Sequence, residues 1–216
     1  MYTLTEENYL KAIYKLSLQT GNVSTNQIAA LLTTKASSVT DMLRKLADKL
    51  LINYTRYQGV SLTQTGEKVA VNIIRRHRLW EYFLVEKLNF KWDEVHDMAE
   101  EMEHISSTEL IDRLDEFMGF PARDPHGDPI PDCNGNFKVN DLKPISAIPV
   151  LSGGIISGVR DHSTAFLQYL EKHRLTIGKT IMVKEIISYD NTVVLEMDNK
   201  NLHISRDVAN NLLIAL

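Results

Sequence analysis

The chain has 216 residues, enough for two domains or for one domain with an appended module, and its composition of 44% hydrophobic and 24% charged residues is typical of a soluble globular protein. No apolar run approaches the roughly 20 residues of a membrane helix, and the N-terminal residues do not have the pattern of a signal peptide. Cys133 is the single cysteine, so no disulfide within the chain is expected, and we expect a cytoplasmic protein. The net charge of −4 argues only weakly against DNA binding, because residues 1–70 carry eight Lys/Arg against five Asp/Glu, whereas residues 71–125 carry seven against thirteen.

Residues 1–70 predict a winged helix-turn-helix. Apolar residues at helical spacing indicate three helices, with Ser24 and Gln27 as a capping box at the second, and short strands over 51–54 and 60–62 follow. The third helix has the length and polarity to lie in a major groove. A small helical core with solvated polar faces is the alternative for the three helices alone. The candidates for groove contacts are Ser37, Ser38, Thr40 and Arg44. The candidates for phosphate contacts are Lys35, Arg56 and Gln58.

Residues 71–125 predict helices whose apolar content indicates dimerisation and which also carry potential metal ligands. Six nitrogen and hard oxygen donors stand out: His77, Glu81, His96, Glu100, Glu103 and His104. A helix over 95–104 would place the last four within about one third of its circumference. Such a stripe is costly to desolvate unless a cation lies among its members, and these donors suit Mn²⁺ or Fe²⁺. The alternative is a solvated acidic face with incidental histidines.

The remainder of the chain changes character. All six prolines fall between Pro121 and Pro149, which indicates a linker or an extended crossing segment. Beyond it, a helix over 163–173 precedes β-type runs over 181–187, 193–197 and 202–204, a pattern that favours a small SH3-like β-barrel. We therefore predict a mainly α protein with a small β module: DNA-binding domain 1–70, dimerisation and metal-binding domain 71–125, linker 126–145 and SH3-like domain 146–216.

Several segments together resemble the diphtheria-toxin-repressor family of metal-dependent transcriptional regulators, in its manganese and iron branch. In the family's order they are Asn8–Tyr14, Ser37–Thr40, Arg76–Leu79, Val95–Asp97, Glu103–His104 and Pro125–Pro131. These segments span more than half of the chain, and the residues after Pro144 resemble the SH3-like domain of the longer members. The combination is specific, although no single segment is.

The resemblance implies two metal sites in each subunit. The residues implied for the first site are Asn8, His77, Glu100, Glu103 and His104. Asn8 is a departure, since the family usually has Met or Asp there. Glu100 stands where some iron-responsive members have Cys, and a carboxylate fits Mn²⁺ better.

The second implied site has two possible patterns. One pattern uses His77, Glu81 and His96, so that His96 is an alternative ligand. The favoured pattern has four residues: Glu81, Asp124, His126 and Asp161. Asp124 and His126 can also be interpreted as ordinary linker residues.

The function implied by the resemblance is metal-dependent repression of metal-uptake genes by a homodimer bound to operator DNA, without a small-molecule substrate. A metallohydrolase is a rival interpretation, because the carboxylate–histidine cluster could supply an open coordination position and a general base. A winged-helix regulator with a non-metal effector is another. The sequence leaves open the choice between Mn²⁺ and Fe²⁺, the promoters, and whether the SH3-like domain supplies ligands or contacts partners.

Overall fold

A computed structural model describes residues 2–20, 22–55, 59–138 and 141–216. Arg56 and Gln58, two predicted phosphate contacts, lie outside the described residues. The chain divides into two compact units. Unit 1 comprises Met1–His77, Glu100–Glu116 and Pro131–Asn136, and unit 2 comprises Arg78–Ala99, Phe117–Ile130 and Phe137–Leu216. No helix in the described ranges is long and apolar enough to cross a membrane.

The first part of unit 1 has the predicted order of three helices and a hairpin. These elements are α1 (Leu4–Thr20), α2 (Thr25–Leu31), α3 (Ala36–Asp48), β1 (Ile52–Thr55) and β2 (Gly59–Leu62). The predicted capping box is confirmed: the Ser24 side chain accepts the amide of Gln27, and the Gln27 side chain accepts the amide of Ser24. Strands β1 and β2 pair antiparallel, with Ile52 opposite Leu62.

Helix α3 has one buried and one exposed face. Val39, Leu43 and Leu46 are fully buried in a core formed with residues of α1, α2 and the hairpin. Ser37 and Arg44 lie on the opposite, exposed side. Burial of one apolar stripe against this core therefore presents the polar face of α3 to solvent.

Three helices follow the hairpin: α4 (Gln64–Leu88), α5 (His96–Met102) and α6 (Thr108–Phe117). In unit 1, Arg75 of α4 donates hydrogen bonds to Asp112 and Asp115 of α6, at 2.9 and 2.7 Å. The guanidinium is buried, and its two carboxylate partners outweigh desolvation and raise the pKa of Arg75. This buried pairing holds α6 beside α4 within the unit.

Unit 2 ends in the predicted β module. Its strands are β3 (Lys143–Pro144), β4 (Gly153–Val159), β5 (Thr180–Ile186), β6 (Val193–Met197), β7 (Lys200–Ile204) and β8 (Leu212–Ala215). They form an antiparallel sheet in the order β3-β8-β4-β5-β6-β7, and α7 (Thr164–Lys172) and α8 (Arg206–Asn211) share its apolar core.

The three strands that the sequence patterns missed are β3, β4 and β8. Strand β4 contains Gly153, Gly154 and Gly158, and glycines at this density are typical of turns in a sequence. Strand β8 follows α8 without an intervening turn residue. The sheet is nevertheless consistent with the predicted SH3-like module.

Candidate metal centres

Three predicted ligands converge in unit 1. The first cluster consists of His77, Glu100 and Glu103, which each offer a ligand atom within 4.8 Å of those of the other two. His77 lies on α4, Glu100 on α5, and Glu103 in the turn that follows α5. His77 and Glu103 are buried, so their charges are largely removed from water.

The predicted ligand helix over 95–104 is wrong in its last part. Helix α5 ends at Met102, and Glu103 and His104 lie in a turn, so the predicted four-residue stripe does not form. The Glu103 carboxylate contacts Lys11 and His77 instead. Several charge-assisted hydrogen bonds to a buried carboxylate are worth more than the propensity gained by one further turn of a seven-residue helix.

Glu103 is fully buried at the centre of this arrangement. The Nδ1 atom of His77 lies 2.7 Å from Oε2, and Nζ of Lys11 lies 2.7 and 2.8 Å from the two carboxylate oxygens. Burial raises the pKa of this carboxyl, but the hydrogen bond from His77 and the positive charges of Lys11 and His77 outweigh burial and lower it. Glu103 is therefore held as a carboxylate.

Two residues of α1 that sequence reasoning missed contact the predicted first-site residues. Lys11 of α1 reaches Glu103 and also lies 2.8 Å from Oε1 of Glu100. Glu7, one turn earlier, lies 2.6 Å from Nδ1 of His104 and accepts a hydrogen bond from Arg76 at 3.1 Å. Both residues are separated by more than 60 positions from these partners, so no local pattern could indicate the contacts.

The other two predicted first-site residues are His104 and Asn8. His104 approaches the first cluster through Nε2, which is 3.9 Å from Oε1 of Glu103. Asn8 lies three residues before Lys11 on α1, a spacing that places both on one helix face. Among the described residues, nothing donates a hydrogen bond to its buried Oδ1. A buried acceptor without a donor is the kind of atom that could ligate a cation.

A second cluster of Glu81, Asp124 and His126 lies in unit 2. Their ligand atoms are within 4.8 Å of one another, and all three residues are buried. Asp124 accepts the amide hydrogens of His126 and Asp128, both at 2.9 Å, which folds the loop so that carboxylate and imidazole lie together. The predicted linker region therefore includes buried, hydrogen-bonded residues.

The imidazole of His126 has the orientation of a metal ligand. Its Nε2 lies 2.8 Å from the carbonyl oxygen of Trp92, and its ring stacks on the Trp92 ring with centroids 6.1 Å apart. Its Nδ1 is 3.4 Å from Oε2 of Glu81 but makes no well-directed hydrogen bond within the described ranges. One nitrogen fixed by a backbone carbonyl and the other turned towards carboxylates is typical of metal-binding histidines.

Burial and charge shift the pKa values in this cluster. Desolvation, with help from the carboxylates of Asp128 and Glu81, raises the pKa of Asp124 to about 7 despite Arg78 and His126. Desolvation lowers the pKa of His126, but Glu81 and Asp124 outweigh it and raise the value to about 9. The metal-free cluster therefore keeps protons that a cation would have to displace.

Three more residues of unit 2 bear on the predicted second site. Nδ1 of the half-exposed His96 lies 3.3 Å from Oε1 of Glu81. The carboxylate of Asp161 does not belong to the second cluster and accepts the amide of Ser163 before α7. His162, which sequence reasoning missed, stacks on His126 with ring centroids 4.9 Å apart, and burial lowers its pKa.

Both clusters fit a divalent cation by their chemistry. Each combines an imidazole with two carboxylates, the nitrogen and hard oxygen donors that suit Mn²⁺ or Fe²⁺, and no thiolate joins either group within the described chain. In the first cluster, a cation already lies among the carboxylates in the form of the Lys11 ammonium. The second cluster has an imidazole nitrogen without a hydrogen bond in the described part of the chain.

The described residues among the predicted DNA contacts lie on α3 or directly before it. Lys35 precedes the helix, and Ser37 and Ser38 are exposed in its first turn. Thr40 is half-buried and donates its hydroxyl hydrogen to the carbonyl of Ala36 at 3.0 Å. Arg44 is exposed and pairs with Asp41 at 3.3 Å, a contact that costs little to exchange for a phosphate.

Three family descriptions cover most of the chain. The N-terminal DNA-binding domain of iron-dependent repressors matches residues 1–60, their metal-binding and dimerisation domain matches residues 63–132, and the FeoA domain matches residues 143–216.

Individual proteins match as well. The HTH-type transcriptional regulator MntR of Oceanobacillus iheyensis is 33% identical over 120 residues, 56% of this chain and 81% of that protein. A probable metal transport system membrane protein of Chlamydia trachomatis is 43% identical over 86 residues, 40% of this chain but only 19% of that longer protein. A solved manganese-dependent transcriptional repressor in complex with manganese has a TM-score of 0.86 at 30% identity, with 97% of this chain and 98% of that chain covered.

The chain belongs to the iron-dependent repressor family, the diphtheria-toxin-repressor family that its sequence resembles. Members of this family are Mn²⁺- or Fe²⁺-dependent transcriptional repressors, so the prediction of a metal-dependent repressor is confirmed. The rival metallohydrolase interpretation is wrong, because the family consists of repressors and not of enzymes.

Proposed function

We propose that this chain binds operator DNA as a homodimer in the cytoplasm when Mn²⁺ or Fe²⁺ is bound, and that it represses metal-uptake genes. The observation that carries the proposal is the first cluster, which joins His77 of α4 and Glu100 of α5 to the α1 side chain of Lys11 through Glu103. Helix α1 packs in the same core as α3, the proposed reading helix. A cation bound at Glu103 therefore acts close to the DNA-binding domain.

We propose Asn8, His77, Glu100, Glu103 and His104 as first-site ligands. The cation would supply the positive charge that lets these donors converge on one point. Asn8 and Glu103 would then restrain α1 before DNA is bound. Because α1 and α3 pack in the same core, α3 would be restrained as well. Ordering a reading helix in advance removes a conformational cost from DNA binding, which makes the metal a corepressor.

At the second site we propose Glu81, Asp124 and His126, with Asp161 as a weaker candidate. Asp161 would have to give up the amide of Ser163 in order to ligate. This site would stabilise the loop that carries Asp124 and His126, and it would tune activation rather than cause it. His126→Ala should accordingly weaken activation less than His104→Ala.

Metal dependence of DNA binding is the direct test. Metal-free protein should bind a palindromic operator about tenfold or more weakly than protein with Mn²⁺, a coupling of about 1.4 kcal/mol. Fluorescence anisotropy of a labelled operator, with Mn²⁺ or with chelator, measures both affinities, and a scrambled duplex is the control. Equal operator affinity in the two conditions contradicts the proposal. If dialysis cannot remove the metal, the metal has a structural role, and a regulator with a non-metal effector is favoured.

Changes on the exposed face of α3 should affect specificity. Ser37→Ala and Thr40→Ala are each expected to lower operator affinity more than affinity for a scrambled duplex, by about 1–3 kcal/mol where a base contact is lost. Isotherms on both duplexes at several salt concentrations separate this effect from phosphate contacts, which set the salt slope. Unchanged operator preference in both variants would show that α3 does not read bases.

Binding at the second cluster should depend on pH. In the metal-free protein His126 holds its proton up to about pH 9 and Asp124 up to about pH 7, and each proton must leave before the atom can ligate. Affinity for Mn²⁺ should therefore be weakest below both values and should rise as pH rises through them. Calorimetric titrations at several pH values measure this rise in affinity. In His126→Ala, the part of the rise near pH 9 should be absent. A pH-independent affinity would exclude these two ligands.

A further inference from the structure

Lys11 occupies the position among the first-cluster carboxylates where positive charge is needed. Its Nζ lies 2.7 and 2.8 Å from the two oxygens of Glu103 and 2.8 Å from Oε1 of Glu100. Only 6% of Lys11 is exposed, and Glu103 is fully buried. The ammonium therefore contacts both oxygens of a fully buried carboxylate and one oxygen of Glu100, whose side chain is 42% exposed.

These contacts oppose the binding of a divalent cation to the same oxygens. A metal ion bound by Glu100 and Glu103 would lie at about 2.0–2.2 Å from their oxygens, well inside the hydrogen-bonding distance of the ammonium. Two cations sharing one small group of carboxylates repel each other, and the repulsion is strong where water does not screen it. Metal binding therefore favours the withdrawal of Nζ from at least part of this group.

Without metal, the same contacts stabilise the protein. A buried carboxylate that lacks a positive partner is strongly destabilising, and Glu103 has Lys11 and His77 as its described partners. A lysine is suited to a reversible role, because its ammonium is a compact charge on a flexible four-carbon stem.

We propose that Lys11 is the resident counter-ion of the first cluster and competes with the divalent cation for Glu100 and Glu103. The competition lowers metal affinity and so raises the metal concentration at which repression begins. This inference rests on the proposed function only in that the first cluster binds a divalent cation.

The test is a calorimetric titration of dialysed, metal-free protein with Mn²⁺. Lys11→Met keeps most of the apolar stem and removes the charge, and it should tighten Mn²⁺ binding about tenfold or more. The melting temperature should fall in the metal-free protein and recover when Mn²⁺ is bound. Lys11→Arg restores a positive charge and should bind Mn²⁺ more weakly than Lys11→Met. All titrations use a His126→Ala background, so that the measured Mn²⁺ binding is that of the first cluster.

The matched control is Lys15→Met, one turn further along α1, where the side chain is exposed. It should leave Mn²⁺ affinity unchanged. Unchanged or weaker Mn²⁺ binding in folded Lys11→Met overturns the proposal, as does a failure of wild type and variant alike to bind Mn²⁺. If Lys11→Met does not fold without metal, Lys11→Gln is titrated and judged by the same outcomes.

The two proposals fail in different ways. Mn²⁺ binding that leaves wild-type operator affinity unchanged contradicts the proposed repressor mechanism but leaves the competition intact. Normal metal-activated operator binding, together with identical Mn²⁺ affinity in wild type and Lys11→Met, overturns the competition alone.

Discussion

Glu103→Gln is expected to reduce operator affinity in the presence of Mn²⁺ to the metal-free level, a loss of about tenfold or more. The amide keeps the size of the side chain but removes the charge that faces Lys11 and His77 at the centre of the first cluster. Removing one partner of a buried ion pair also lowers the free energy of unfolding by about 3–5 kcal/mol. Anisotropy with labelled operator and urea denaturation measure the two effects.

Glu101→Gln is the control for this variant. Glu101 is exposed on α5, two residues before Glu103, so the same chemical change occurs without burial. It should leave metal-activated binding and stability close to those of the wild type. Retention of full metal activation by a folded Glu103→Gln protein would remove Glu103 from the proposed ligands.

Gly127→Ala should destabilise unit 2 and disturb the second cluster. Gly127 has φ +89°, and an added Cβ would lie 2.2 Å from the carbonyl oxygen of Ser157 and 2.4 Å from Cα of Gly158. Backbone strain of about 1–2 kcal/mol adds to about 1–3 kcal/mol of overpacking. Since Asp124 and His126 lie in the same loop, Mn²⁺ binding at the second cluster should weaken as well.

Gly178→Ala separates the two contributions to this effect. Gly178 has nearly the same backbone angle, φ +88°, but an added Cβ meets no atom within 4 Å among the described residues. This variant should lose only the part due to backbone strain, about 1–2 kcal/mol. Urea denaturation of both variants gives the difference in the free energy of unfolding. Equal losses in the two variants would mean that the close approach of Gly127 to β4 does not contribute to the loss of stability.

Features of the fold that depend on neighbouring residues were predictable. The capping box of Ser24 and Gln27 is local, and the apolar stripe of Val39, Leu43 and Leu46 repeats at helical spacing, so both were correctly derived from the sequence. Leu50, which the same spacing placed on the buried side, lies beyond the end of α3 and is 76% exposed. Strand β4 was missed because its packing requires glycines, such as Gly154, whose Cβ would lie 2.1 Å from the carbonyl oxygen of Ala215. The pattern cannot distinguish such a close approach from a turn.

The candidate sites show the same division. The donor types at Glu100 and His77 were apparent from the sequence, and the structure places them together. Lys11 was assigned no role, because its contact with Glu103 spans 92 positions along the chain. That contact also explains the error in the predicted ligand helix, since tertiary hydrogen bonds hold Glu103 in a turn that local spacing alone would have continued as helix.

The stacking of Trp92 on His126 gives the second cluster an intrinsic optical reporter. The chain has two tryptophans, Trp80 and Trp92, and Trp80 packs edge-on against Phe83. Emission from an indole responds to the charge of an imidazole stacked on it and to an ion bound at that ring. In a Trp80→Phe protein, fluorescence would therefore follow the filling of this cluster in solution without an added label, separately from events at Glu103.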